Sequence, residues 1–181
     1  NFTSVGATSV GISSGTYFNS TGANYQMWMW HCNGGTTTSD SSGDITVTRQ
    51  TNDAAKFTIA TWTGNGVSGS TIAHGLGVKP AMTWIKKRNA TAAHGVWHQG
   101  YNNGDYDSFG ELLGNAAWYA NQGANGHFSA APGTDYLTLT AYSQVNTSSD
   151  TYVGYFWADV EGMQKFGKYE GNGNADGPFV Y

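Results

Sequence analysis

Charge is scarce in this chain. Only 11% of its 181 residues are Asp, Glu, Lys or Arg, against roughly 25% in an average soluble domain. The net charge is −4, and the basic residues are Arg49, Arg88 and six lysines. A phosphate backbone wants a basic face, so no nucleic-acid partner is expected. The one basic run, Lys86-Lys87-Arg88, closes a strand pattern and reads as a solvated strand end. Cysteine is nearly missing. Cys32 stands alone, so no intrachain disulfide forms. It is expected to be buried as a small hydrophobe, with pairing between chains as the alternative. No apolar run approaches the roughly 18 residues of a membrane-spanning helix, so no membrane partner is expected. The chain opens at Asn1 without an initiator Met or a signal-peptide pattern, which reads as a processed or excised chain. Catalytic signatures are missing too. There is no G-x-S-x-G elbow, phosphate loop or zinc signature. The twelve acids lie mostly in turns. No catalytic residue and no cofactor is therefore expected, and the chain reads as a non-enzyme. Two carboxylates distant in sequence but close in space are the form a glycan hydrolase would take.

What is present is aromatic and uncharged polar. Aromatic residues make up 14% of the chain, far from the composition of a disordered segment. Its length is that of one domain, or one domain with a small appendage. Alternation with a period of two runs through residues 44–49, 56–63, 81–87, 135–142 and 151–160. Phe57, Ile59 and Thr61 share one face, and so do Met82, Trp84 and Lys86. Turn clusters rich in Gly, Asn and Asp separate these runs, at 63–66, 74–77, 101–105, 131–135 and 170–177. The pattern predicts an all-β fold, an antiparallel β-sandwich of Ig-like or jelly-roll-like type, with little or no helix. The best helical stretch is 108–121, and its interior Gly110 and Gly114 weaken it.

The stretch ANYQMWMWHC, residues 23–32, alternates as a strand would. Tyr25, Met27 and Met29 then point one way, and Gln26, Trp28 and Trp30 the other, so both faces need cover. A similar stretch returns at 150–159, where Tyr152 and Trp157 match Tyr25 and Trp30 at one common offset. GNG closes the segments 60–66 and 167–173. Residues 19–66 thus resemble 146–173, as an internal repeat would. The predicted organisation is an N-terminal segment, 1–18, serving as an exchanged strand, followed by one sandwich domain over 19–181.

Several constellations hold residue types capable of chemistry. His94 and His98, four apart on a strand, share a face but lie about 13 Å apart, too far to share a metal. His74 sits in the HGLG turn, where its ring can bond nearby backbone. His31 and Cys32, adjacent on a strand, would face opposite ways. Asp105, Asp107 and Glu111 form a weak Ca²⁺ candidate in loop 102–111. A polar turn is the simpler reading. Four N-x-[ST] sequons mark Asn1, Asn19, Asn89 and Asn146 as candidate glycosylation sites. Trp62, Trp84, Trp97, Trp118, Tyr101 and Tyr106 exceed what one small core needs. Such rings anchor protein interfaces or stack on sugars.

Three blocks carry a family resemblance: TIAHGLGVKPAMTWIKKRN, the final thirty residues from YVGYFWADVEG to DGPFVY, and NYQMWMWHCNGG with the segment up to TWTGNG. Together they resemble a repeat module, a domain of unknown function, of large tail-fibre-like virion structural proteins of marine tailed phages. The similarity covers roughly 19–100 and 135–181, and residues 101–134 fall outside it. The resemblance implies assembly or surface recognition and no known catalysis. The resulting expectation is a structural subunit, extracellular or on a virion, that associates with itself through strand faces and edges. Its expected interface is Trp28, Trp30, Phe179, Val180 and Tyr181, and strand donation between subunits is a concrete form of the idea. The alternative is a glycan-binding module working through Trp97, Tyr101 and Tyr106.

Overall fold

A computed structural model of the chain describes residues 2–6, 9–14, 19–112 and 118–178. Asn1, Phe179, Val180 and Tyr181 lie outside them.

The long alternating runs become the strands of one large sheet. In chain order these are β3 (Thr38–Asp40), β4 (Val47–Asn52), β5 (Phe57–Thr63), β7 (Met82–Lys87), β8 (His94–His98), β9 (Gly110–Glu111) and β11 (Thr151–Trp157). Their order across the sheet is β3-β4-β5-β11-β7-β8-β9, all antiparallel. The seven-residue β11 lies between β5 and β7, pairing Tyr152 with Trp62 and Gly154 with Ile85. The second layer is smaller. β6 (Thr71–Ala73) pairs with β10 (Tyr136–Thr138), and bridges at Ile45–Ile72 and Phe128–Leu139 extend it. A separate hairpin joins β1 (Phe2–Val5) to β2 (Val10–Ile12), and these two strands pair only with each other among the described residues. The chain is therefore an all-β antiparallel sandwich with one broad layer and one narrow one. Its described residues hold no α-helix, only two single 3-10 turns.

Alternation decides which face goes inward. Val47, Ala60, Trp62, Ile85, Trp97, Tyr152 and Phe156 point toward the second layer and are buried against Ile72, Leu76, Phe128, Leu137, Leu139 and Val145. Trp62 stacks on Tyr152 at 5.6 Å, and Trp97 meets Phe128 edge-on at 6.1 Å. Each such ring stabilises the fold by roughly 1.5–3 kcal/mol through removal from water. Buried rings still need their polar atoms paired. The Trp62 Nε1 donates to the Val145 carbonyl at 3.1 Å, and Trp97 Nε1 to the Asp105 carbonyl at 2.9 Å. The Tyr152 hydroxyl donates to Ser143 O and accepts from Thr147 N.

The HGLG turn behaves as its sequence implies. Leu76 N donates to His74 Nδ1 at 3.3 Å. Gly75, at φ +71°, leaves the space a side chain would fill to the guanidinium of Arg49. That guanidinium bonds Asp40 on edge strand β3 at 3.0–3.1 Å. In the stretch 108–121, the described residues 108–112 and 118–121 are not helical. Gly110 lies in β9, and Phe109 and Tyr119 exchange backbone hydrogen bonds of 2.9 and 2.8 Å.

One expected strand is not a strand. Residues 23–32 have no regular secondary structure. Tyr152 is buried inside β11, whereas its sequence counterpart Tyr25 is exposed in coil. Residues 167–173 are likewise coil, although their counterparts end β5. The sequence similarity between the two stretches therefore does not extend to local structure.

A close approach under β8 fixes one position tightly. A Cβ at Gly95 would overlap the ring of His127, which is fully buried above it. Gly95→Ala should destabilise the fold by about 1–3 kcal/mol, as overpacking does. Urea unfolding checks this, and an unchanged midpoint would mean that the His127 ring yields freely.

Candidate functional site

The sheet's outer face is also apolar. Phe57, Ile59, Met82, Trp84, Val96, Tyr155 and Trp157 point away from the second layer by their registers. Part of this face is covered from the N-terminal side. Trp30 contacts Trp157 edge-on at 5.5 Å and Phe57 at 6.3 Å. The Cys32 thiol donates to Gln50 O at 3.0 Å, and burial pushes its pKa up. Phe166 reaches Trp157 from the C-terminal side, at 6.3 Å.

The covering segment is itself uncovered. Trp28 is 71% exposed and Met29 68%. Tyr25, Met27 and Trp30 are exposed as well. A groove of about 810 Å³ runs beside it. Its lining includes Val10 from the first hairpin, Met27 to Cys32, and Gln50 and Ile59 on the sheet. Of the expected interface residues, Trp28 and Trp30 thus lie at one surface, Trp28 outermost and Trp30 against the sheet. His31 and Cys32, placed on opposite faces by strand alternation, both line this groove because the segment is coil.

The expected sugar-binding set is only partly at the surface. Trp97 is fully buried in the core on β8, so it cannot stack on a ligand. The β8 alternation puts it inward opposite Thr83. Tyr106 is exposed, and Tyr101 is half-buried. The structure supplies a ring that the expected set left out. Trp118 packs against Tyr101 at 4.7 Å, and the Tyr101 hydroxyl donates to its carbonyl at 2.9 Å. Asn102, Asn103 and Asn121 surround this pair with positive φ values of 43°, 57° and 54°. Asn102 Nδ2 ties the two loops together through Asn121 Oδ1 at 3.2 Å and Ser108 Oγ at 3.0 Å.

The carboxylates considered for Ca²⁺ serve separate contacts. Asp107 Oδ2 accepts from Gly123 N at 2.8 Å, and Glu111 Oε1 accepts from Gln144 Nε2 at 3.0 Å. Asp105 uses its main-chain oxygen for Trp97. No group of three His, Cys, Asp or Glu placed to hold a metal occurs among the described residues. His94 and His98 stand at the two ends of β8 on its outer face, as their spacing implies. In the basic run, Lys87 pairs with Asp150 at 2.6 Å and Lys86 donates to Ala92 O, leaving Arg88 exposed. Of the sequons, Asn19 and Asn89 are exposed, whereas Asn146 is buried. Asn146 is spent on the β5 turn. Its amide donates to Asn65 Oδ1 and Val67 O, and its oxygen accepts from Asn65 N. No glycan fits there in the folded chain.

A family model described as "Domain of unknown function (DUF7483)" matches residues 1–181. The chain belongs to this family. No curated protein and no solved structure matches it. In this DUF7483 chain the candidate surfaces are the groove along Met27–Cys32 and the Tyr101–Trp118 pair.

Two buried histidines give the domain a pH dependence. Burial pushes His74 and His127 down to about 4. His127 Nε2 is held by Gln144 Oε1 at 3.0 Å, and its ring stacks on Phe109 at 4.2 Å. In the unfolded chain both rings return to about 6.5. Between these values the unfolded chain takes up protons that the folded chain refuses. Stability is complete above about pH 6.5 and is lost as pH falls toward 4, by about 3 kcal/mol per histidine over the full window. The urea midpoint should be lower near pH 5 than near pH 7.5, above the range where the carboxylates titrate. Equal midpoints would overturn this.

Proposed function

We propose that this chain is a non-enzymatic structural subunit of a phage fibre or similar extracellular filament, and that it associates with further copies of itself. The supporting observation is the exposed run Tyr25–Trp30, with Trp28 and Met29 outermost, beside the sheet's apolar outer face. Apolar patches of this kind on a soluble chain mark interaction surfaces. The first hairpin supports the same reading. A two-stranded ribbon is marginal alone, and β1 and β2 offer edges that no other described strand takes up. Strand donation between subunits would use those edges. The resemblance to tail-fibre-like virion proteins agrees with this role and with an extracellular or virion setting.

Light scattering across a concentration series and negative-stain microscopy test the proposal. The wild type should form dimers or rods. Trp28→Ser with Met29→Ser should weaken association by about 2 kcal/mol or more, roughly 30-fold, while leaving the urea midpoint in place. A wild type that stays monomeric at every concentration would overturn it.

A second reading, glycan recognition, is favoured by Tyr101, Tyr106 and Trp118 with the asparagines around them. Aromatic faces flanked by amides suit sugar rings. Binding on a glycan array that disappears in Trp118→Ala would select this reading, and an empty array would reject it.

A further inference from the structure

Soft donor atoms are crowded into one short stretch. Two of the four methionines, Met27 and Met29, stand there with His31 and the sole cysteine, Cys32. Because the stretch is coil, strand alternation does not separate neighbouring side chains. All four line the same groove of about 810 Å³. Its lining holds no Asp and no Glu, so a hard cation such as Ca²⁺ or Mg²⁺ finds no carboxylate. Thioether, thiolate and imidazole form the ligand set that selects Cu(I). Methionine's flexible stem lets its sulfur turn toward a shared centre.

We infer that this groove binds one Cu(I) ion through the thioethers of Met27 and Met29, the imidazole of His31 and the thiolate of Cys32. The Cys32 S–H bond breaks as the Sγ–Cu bond forms, and the proton passes to the buffer. The hydrogen bond from Sγ to Gln50 O, 3.0 Å long, is given up with it. No electron moves, since copper enters and remains as Cu(I). The thiolate's negative charge cancels the ion's positive one, so the loaded groove carries no net charge beside the apolar sheet face. The site shares Met29 and its groove with the proposed self-association surface, and copper withdrawal reads it independently of oligomeric state.

The test is an anaerobic titration of the folded chain with Cu(I) in competition with bicinchoninate, whose coloured copper complex reports what the protein withdraws. The wild type should withdraw one equivalent. Met27→Leu with Met29→Leu, and separately Cys32→Ser, should lose most of that withdrawal. Met163→Leu, on an exposed loop outside the groove, should match the wild type. Zn²⁺ should not compete for the site. Leucine is close to methionine in volume and both methionines are exposed, so the double variant keeps its fold. Bicinchoninate that keeps all the copper from the wild type would overturn the inference. So would a double leucine variant that holds copper as tightly as the wild type.

Discussion

Strand β11 must be buried on both sides, and much of the architecture follows from that constraint. Tyr152 and Phe156 point one way, while Tyr155 and Trp157 point the other. Between them Gly154 leaves room for the Trp62 and Phe156 rings, since a Cβ there would collide with both. The longest strands, β5 and β11, pair in full register over seven residues. This is the backbone scaffold from which the remaining sheet extends on either side. A central strand with aromatic residues on both faces requires two covering layers. The first is the narrow sheet of β6 and β10 with its loops. The second is partial, made from Trp30, Cys32 and Phe166.

Coverage by loops has a cost in polar groups, because irregular backbone brings unpaired donors and acceptors into the interior. The molecule meets this with amides and hydroxyls rather than with charge. Asn146 closes the turn after β5, Gln144 links His127 to Glu111, and Tyr152 holds both ends of the 143–147 turn. Gln164 does the same for Ala55 and Ala158. A few polar atoms stay unpaired, among them His127 Nδ1 and Trp157 Nε1.

The sequence made the sheet legible and the surface less so. Alternation at 56–63, 81–87 and 151–160 located β5, β7 and β11 with their facing residues, since side-chain direction on a strand is a local property. Pairing is not local, and there the reading failed. Residues 23–30 alternate as well as β11 does, yet no strand among the described residues pairs with them, and the segment lies as coil. Trp97 looked available because aromatics were plentiful. Its burial depends on Phe128, which is distant in sequence. The sequon at Asn146 was a true motif in a place where the amide is consumed by the fold. Gly110 pointed away from a helix and lies in β9. The grouping of Met27, Met29, His31 and Cys32 was visible as M-x-M-x-H-C. A strand assignment hid it by sending His31 and Cys32 to opposite faces.

Low charge has a consequence for the folded molecule. Four ion pairs occur among the described residues, and the Lys56–Asp53 and Lys165–Asp159 pairs are substantially solvated. Dissolved salt acts by screening charges such as these. It does little to ring stacking, buried amides or a two-layer apolar core. A domain held mainly by those contacts keeps its shape across wide changes in ionic strength.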